Sequence, residues 1–173
     1  GHSMGGKAAM VASISRPEVF KKLVVVDISP VNYAESEFVN YIELLLELNL
    51  NEINSRKEAD TNLQKKIVDR DIRSFLLQNL YLDENNNYNW KINLESLKKN
   101  IENIKLFPKT QNSFKGNTLF IKGKNSNYIQ EKHLPIISNF FPNYSLREIA
   151  NSGHWPHTEQ QDLFRKELLT FFM

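Results

Sequence analysis

The sequence predicts an α/β fold on a mostly parallel, doubly wound sheet, interrupted by a helical insertion. Three observations carry this expectation. Strand and helix patterns alternate toward both ends of the chain. Leu23-Val24-Val25-Val26 has no polar alternation, as a strand covered on both faces requires. Residues 32–107 read as helical and polar over a stretch too long for a structureless loop inside a compact sheet. With 173 residues and 40% hydrophobic content, the chain suffices for one cored domain plus an insertion.

The elements follow in order. Met4 to about Ser15, rich in Ala and Met, reads as a helix that ends near Arg16-Pro17, because proline disfavours helix in the residue before it. Lys22 to Ile28 is a β-branched strand closed by Ser29-Pro30. The insertion, 32–107, is expected to be a lid. Within it Phe38, Tyr41, Ile42, Leu45 and Leu48 form a helical stripe that Leu44 and Leu46 widen to two faces. Ser55 to Leu80 supplies one or two further helices, Tyr81 to Ile92 a short hairpin around Asn85-Asn86-Asn87, and Leu94, Leu97, Ile101 and Ile104 another helix. The core, 1–31 and 108–173, resumes with a strand at Asn117 to Lys122, a helix around Gln130 to Phe140 and a last strand at Tyr144 to Ile149. A closing helix from Thr158 to Phe172 completes it.

Composition excludes several classes of function. Twenty-two Lys and Arg against 20 Asp and Glu give a formal charge of +2, too balanced to argue for nucleic acid. There is no cysteine, so disulfides and thiolate metal sites are excluded, and a reducing compartment, cytoplasmic or organellar, is favoured. The four histidines are scattered without a metal-binding spacing, and no metal or cofactor is expected. No apolar stretch approaches the roughly 18 to 20 residues of a membrane-spanning helix.

The chemistry starts at Gly1-His2-Ser3-Met4-Gly5-Gly6, a match to the G-x-S-x-G turn. Small residues two before and two after the serine allow a tight, strained passage from strand to helix, which exposes the hydroxyl as a nucleophile. The helix opening behind it aims unpaired N–H groups at a developing oxyanion, which makes the Met4 N–H the first donor of an oxyanion hole. Such a turn normally follows a buried strand. The expectation is therefore that N-terminal strands, on the order of 80 to 100 residues at about 30 per βαβ unit, precede Gly1 with the second oxyanion donor, and that activity needs them.

A nucleophilic serine needs a base and an orienting acid, in the chain order nucleophile, acid, histidine. His154 lies in a Ser-Gly-His turn after the last strand, where a general base for Ser3 is expected. His157 is read as structural or lid-facing and His133 as a surface helix residue. The segment Gly123 to Tyr128, where the acid usually follows the penultimate strand, has no carboxylate before Glu131. One strand earlier, Asp27 ends the Leu23 to Val26 run at the carboxyl edge, and it is assigned as the orienter of His154; the competing reading is a cap on the Ser29-Pro30 turn. Ser126 stands about where the usual acid would, either as a fourth, neutral member bonded to Asp27 or His154, or as a turn serine. Trp155 beside His154, with Phe38, Tyr41 and Ile42 in the insertion, are candidate substrate contacts, with ordinary packing as the alternative.

Four segments together carry a family resemblance. Gly-His-Ser-Met-Gly-Gly-Lys at the start, Val-Val-Asp-Ile-Ser-Pro at 25–30, Gly-Lys-Asn-Ser-Asn-Tyr-Ile at 123–129 and Ser-Gly-His-Trp-Pro-His at 152–157 resemble the small α/β-hydrolase esterases of the bacterial YbfF type and their mitochondrial relatives. The resemblance implies the C-terminal part of an α/β-hydrolase fold with a helical lid. It also implies esterase or thioesterase activity on acyl substrates, with Asp27 and Ser126 joining Ser3 and His154. Fold and triad do not fix the substrate. A carbon–carbon bond hydrolase on the same triad, or a small-molecule receptor on the same fold, are the alternatives.

Overall fold

The computed structural model describes residues 1–33 and 37–173; residues 34–36 of the predicted insertion lie outside the described residues. The chain divides into two compact units, one formed by 1–32 and 106–173 and the other by 33–105.

The first unit opens with Gly1 to Ser3 running beside a strand, His2 bridging Val26 in parallel. Helix α1, Met4–Ser15, follows directly and ends at Arg16, before Pro17. Strand β1, Lys22–Val26, places Leu23, Val25 and Val26 in the interior. It stops two residues short of the predicted end at Ile28 because Asp27 turns to a left-handed φ of 50°.

In the second unit, α2 (Glu37–Glu47), α3 (Arg56–Gln64) and α4 (Arg70–Leu77) precede a two-stranded hairpin. The Ser55 hydroxyl and the Asp69 carboxylate accept from first-turn N–H groups of α3 and α4, satisfying donors that have no intrahelical partner. The hairpin pairs β2 (Leu80–Leu82) antiparallel with β3 (Tyr88–Trp90). Its turn gives the asparagine run a structural use: Asn86 adopts φ 61°, and Asp83 Oδ1 accepts from the Asn85 and Asn87 N–H groups. Helix α5, Leu94–Lys105, completes a core in which Leu45, Ala59 and Leu80 are fully enclosed. Buried Arg73 pairs with Asp60 at 2.7 Å and donates to the Ile67 and Val68 carbonyls.

The first unit resumes with β4 (Asn117–Gly123), α6 (Leu134–Phe140) and β5 (Tyr144–Ile149). Both neighbours of β4 run parallel to it, in the order β1-β4-β5, with Val26 opposite Ile121 and Gly123 opposite Ile149. Phe120, Ile121 and Ile149 are buried, the apolar character that parallel strands covered on both faces need. Two sequence expectations are corrected. The closing helix is broken into α7 (Pro156–Glu159) and α8 (Gln161–Phe172), because Gln160 leaves helical geometry at φ −139°. His133 is buried rather than on the surface, with Nδ1 turned inward to Ser29 Oγ at 3.2 Å. Along α8, Phe164, Leu168 and Phe171 pack on Leu119, Ile121 and Ile149, while Phe172 stays exposed. Among the described residues no helix is long and apolar enough to cross a membrane.

Candidate active site

The carboxyl edge of the parallel sheet gathers three turns, and each delivers one polar side chain. Ser3 sits at φ 50° and ψ −124° between the Gly1 to Ser3 segment and α1, held by its own N–H to the Val26 carbonyl at 3.0 Å. A non-glycine residue at positive φ is costly and persists only where the surroundings fix it. Close packing of the turn explains two of its glycines. A Cβ on Gly1 would overlap the Gly5 carbonyl, and one on Gly6 would come within 2.6 Å of the Ile28 side chain. At Gly5 a Cβ would meet nothing within 4 Å among the described residues.

Asp27 is the second member. Its left-handed backbone at the end of β1 keeps the side chain wholly buried at the sheet edge. Oδ1 accepts from the Gly123 N–H at 3.1 Å, while Oδ2 accepts from the Ser126 hydroxyl and lies 2.8 Å from His154 Nδ1. Ser126, itself buried, also accepts from the Tyr128 N–H at 3.3 Å. The Asp27 side chain is thus engaged by Gly123, Ser126 and His154.

His154 closes the set. Its Nε2 lies 3.0 Å from Ser3 Oγ, and 19% of the side chain remains exposed, so the ring is sheltered but reachable. With Nδ1 donating to Asp27, Nε2 is left to accept the Ser3 hydroxyl hydrogen. That tautomer can take a proton from Ser3 and return it to a leaving group. The Met4 N–H, first in α1, has no intrahelical partner and points from the positive end of the helix dipole.

The loop around His154 is held from several sides. Glu159 accepts from the N–H groups on either side of His154, Gly153 at 2.7 Å and Trp155 at 3.0 Å. The Tyr128 ring stacks on the imidazole at 4.0 Å and 28°. His2 Nε2 lies 2.7 Å from the His154 carbonyl oxygen. Burial pushes the His2 imidazole down to about 4, outweighing the upward pull of its bond to that carbonyl. One turn after Ser3, buried Lys7 donates its N–H to the Ser3 carbonyl and its Nζ to the Leu106 carbonyl at 3.2 Å, and desolvation lowers its ammonium to about 8.

Ser3, Asp27, Ser126 and His154 are brought together, with the Met4 N–H beside them. Trp155 is half-buried at the start of α7 next to His154. Ile42 is buried in the core of the second unit; Tyr41 packs against that core and meets Phe38 edge-on at 5.9 Å. Sequence reasoning missed Tyr128, Gly123 and Glu159 as parts of this arrangement. Gly123 was detectable as the glycine that ends β4 at the functional edge of the sheet; stacking and loop latching leave no spacing signal.

Comparisons with known proteins bear on the fold and the family. A family model described as the alpha/beta hydrolase fold matches residues 1–161. The sn-1-specific diacylglycerol lipase ABHD11 of Danio rerio is 38% identical over 176 residues, covering 99% of this chain and 55% of that protein. Esterase YbfF of Escherichia coli is 28% identical over 162 residues, covering 94% of this chain and 61% of that protein. A solved marine microorganism esterase is 38% identical with a TM-score of 0.94, covering 99% of this chain and 68% of that one. The chain spans between about half and two thirds of the length of these relatives.

Proposed function

Since the chain belongs to the α/β-hydrolase fold family, we propose that it carries the nucleophile, acid and base of a serine hydrolase that cleaves carboxylic esters or acyl thioesters. The observation that carries this reading is the continuous path from Ser3 Oγ to His154 Nε2 at 3.0 Å and from His154 Nδ1 to Asp27 Oδ2 at 2.8 Å. Ser3 attacks the acyl carbonyl as His154 takes its proton; the Met4 N–H stabilises the tetrahedral oxyanion. His154 then protonates the leaving alcohol or thiol. Water, activated by the same imidazole, releases the acid from the acyl-enzyme and regenerates Ser3. Asp27 holds the imidazole in the Nδ1–H tautomer and stabilises its charged form. Ser126 supports Asp27 as a neutral fourth member.

The relatives' names favour oxygen esters over thioesters, because they are a diacylglycerol lipase and esterases. In this reading the inserted unit is a lid, with Phe38, Tyr41 and Trp155 as candidate acyl contacts; Ile42 is already used by that unit's own core. The test is a fluorophosphonate probe and a panel of p-nitrophenyl esters and acyl-CoA thioesters on the full-length protein. Labelling and hydrolysis are expected in the native protein and in neither assay after Ser3→Ala. Labelling that survives Ser3→Ala sinks the assignment.

A further inference from the structure

His2 lies between the two segments whose spacing decides whether the serine can react. Its backbone pairs with Val26, so it is fixed to the sheet edge, and it is joined directly to Ser3. Its Nε2 lies 2.7 Å from the carbonyl oxygen of His154. A carbonyl only accepts, so Nε2 carries the hydrogen. The result is a short closed circuit: from Ser3 back to His2, across one hydrogen bond to the His154 backbone, and through the imidazole to Ser3 Oγ again. A strand residue therefore sets the placement of the loop that carries the base.

We propose that His2 is a positioning residue of the hydrolase, which in its neutral Nε2–H form ties the His154 loop to the nucleophile segment and keeps positive charge away from the working imidazole. This rests on the reading of Ser3, His154 and Asp27 given above. Its ring centroid stands 4.6 Å from those of both His154 and His157. A cation at that distance would oppose the positive charge His154 must take up when Ser3 attacks. The groups facing His2 are His154 in its loop, His157 on α7 and Asp27 at the end of β1. His157 is also lowered, by burial first and by His154 second. Both neighbouring imidazoles are thus biased toward the neutral form beside His154. Side chains that lock a reacting group act through geometry, and a displacement of about 1 Å can cost on the order of 100-fold in rate.

Two variants and one spectroscopic measurement on the full-length protein test this. His2→Phe keeps a ring and removes the donor; His2→Gln keeps a neutral N–H at similar reach. His2→Phe is expected to lower kcat about 10- to 100-fold with KM nearly unchanged, whereas His2→Gln stays within about five-fold of the native enzyme. Ring nitrogen NMR of the native protein is expected to find His2 neutral and Nε2-protonated between about pH 5 and 8. An unaffected His2→Phe enzyme, a folded His2→Gln as slow as His2→Phe, or a His2 titrating near its ordinary pKa overturns the proposal. If His2→Phe does not fold, His2→Gln and the ring spectra decide. Should Ser3→Ala leave hydrolysis intact, the serine reading fails in the activity assay, and the tautomer of His2 is still read independently in the spectra.

Discussion

Ser3 and Asp27 share an unusual backbone: both stand at φ 50°, on adjacent chain segments joined by the Ser3 N–H to the Val26 carbonyl. Each turn lifts its side chain out of strand alternation at the same edge of the sheet. Ser3 and Asp27 are thus placed by one device, a left-handed residue after an extended segment, and His154 bridges them.

That geometry separates the roles of Asp27 and Ser126. Asp27→Asn replaces an acceptor by a group that can donate, so the imidazole loses its partner for Nδ1–H and the tautomer reverses; kcat is expected to fall on the order of 10⁴-fold. Ser126→Ala removes one donor to a buried carboxylate that still accepts from Gly123 and His154. The expected outcome is a stability loss of about 1.5–3 kcal/mol with kcat lowered about ten-fold or less. Steady-state kinetics and thermal unfolding of both variants check this. Equal kinetic losses would count against Asp27 as the orienter.

Much of this was legible in the sequence because it rests on local signals. The apolar run at 23–26, the strand at 117–122 and the serine turn each need particular residue types at short spacing, and the triad order ties them together. Asp27 was reachable by elimination, since the Gly123 to Tyr128 segment offers no carboxylate. What was not legible depends on contacts distant in the chain. His133 looks like a helix-surface residue until α6 packs and Ser29 meets its ring. The break at Gln160 follows a Glu159 side chain turned back to the His154 loop, which no periodicity reports.

Gly123 joins two requirements at one position. Its N–H serves Asp27 Oδ1, and a Cβ there would overlap the Gly153 carbonyl and lie 2.9 Å from the Ser152 carbonyl oxygen. The obstacle is backbone on the loop that carries His154, so no rotamer change relieves it. Gly123→Ala is expected to cost about 1–3 kcal/mol or more and to push the end of β4 away from the loop, lowering ester hydrolysis as well as the unfolding midpoint. A variant with native midpoint and native rate would show that the loop yields freely.

Three sheltered histidines predict how stability responds to acid. Desolvation is the first cause lowering His2, His133 and His157, and for His2 the folded value is about 4. When the folded pKa lies below the unfolded one, the unfolded chain binds more protons between the two, so stability rises with pH across that window. For His2 the contribution is complete above the ordinary value of about 6.5 and is lost progressively as pH falls toward about 4. His2→Gln keeps an N–H donor but cannot titrate. Its unfolding midpoint is expected to fall less steeply than that of the native protein between pH 6.5 and 4, with no difference in slope from His2 above pH 7. Thermal unfolding in a series of buffers at constant ionic strength measures the two slopes. Identical slopes would mean that His2 is protonated in the folded protein as readily as in the unfolded chain, the outcome that overturns its positioning role.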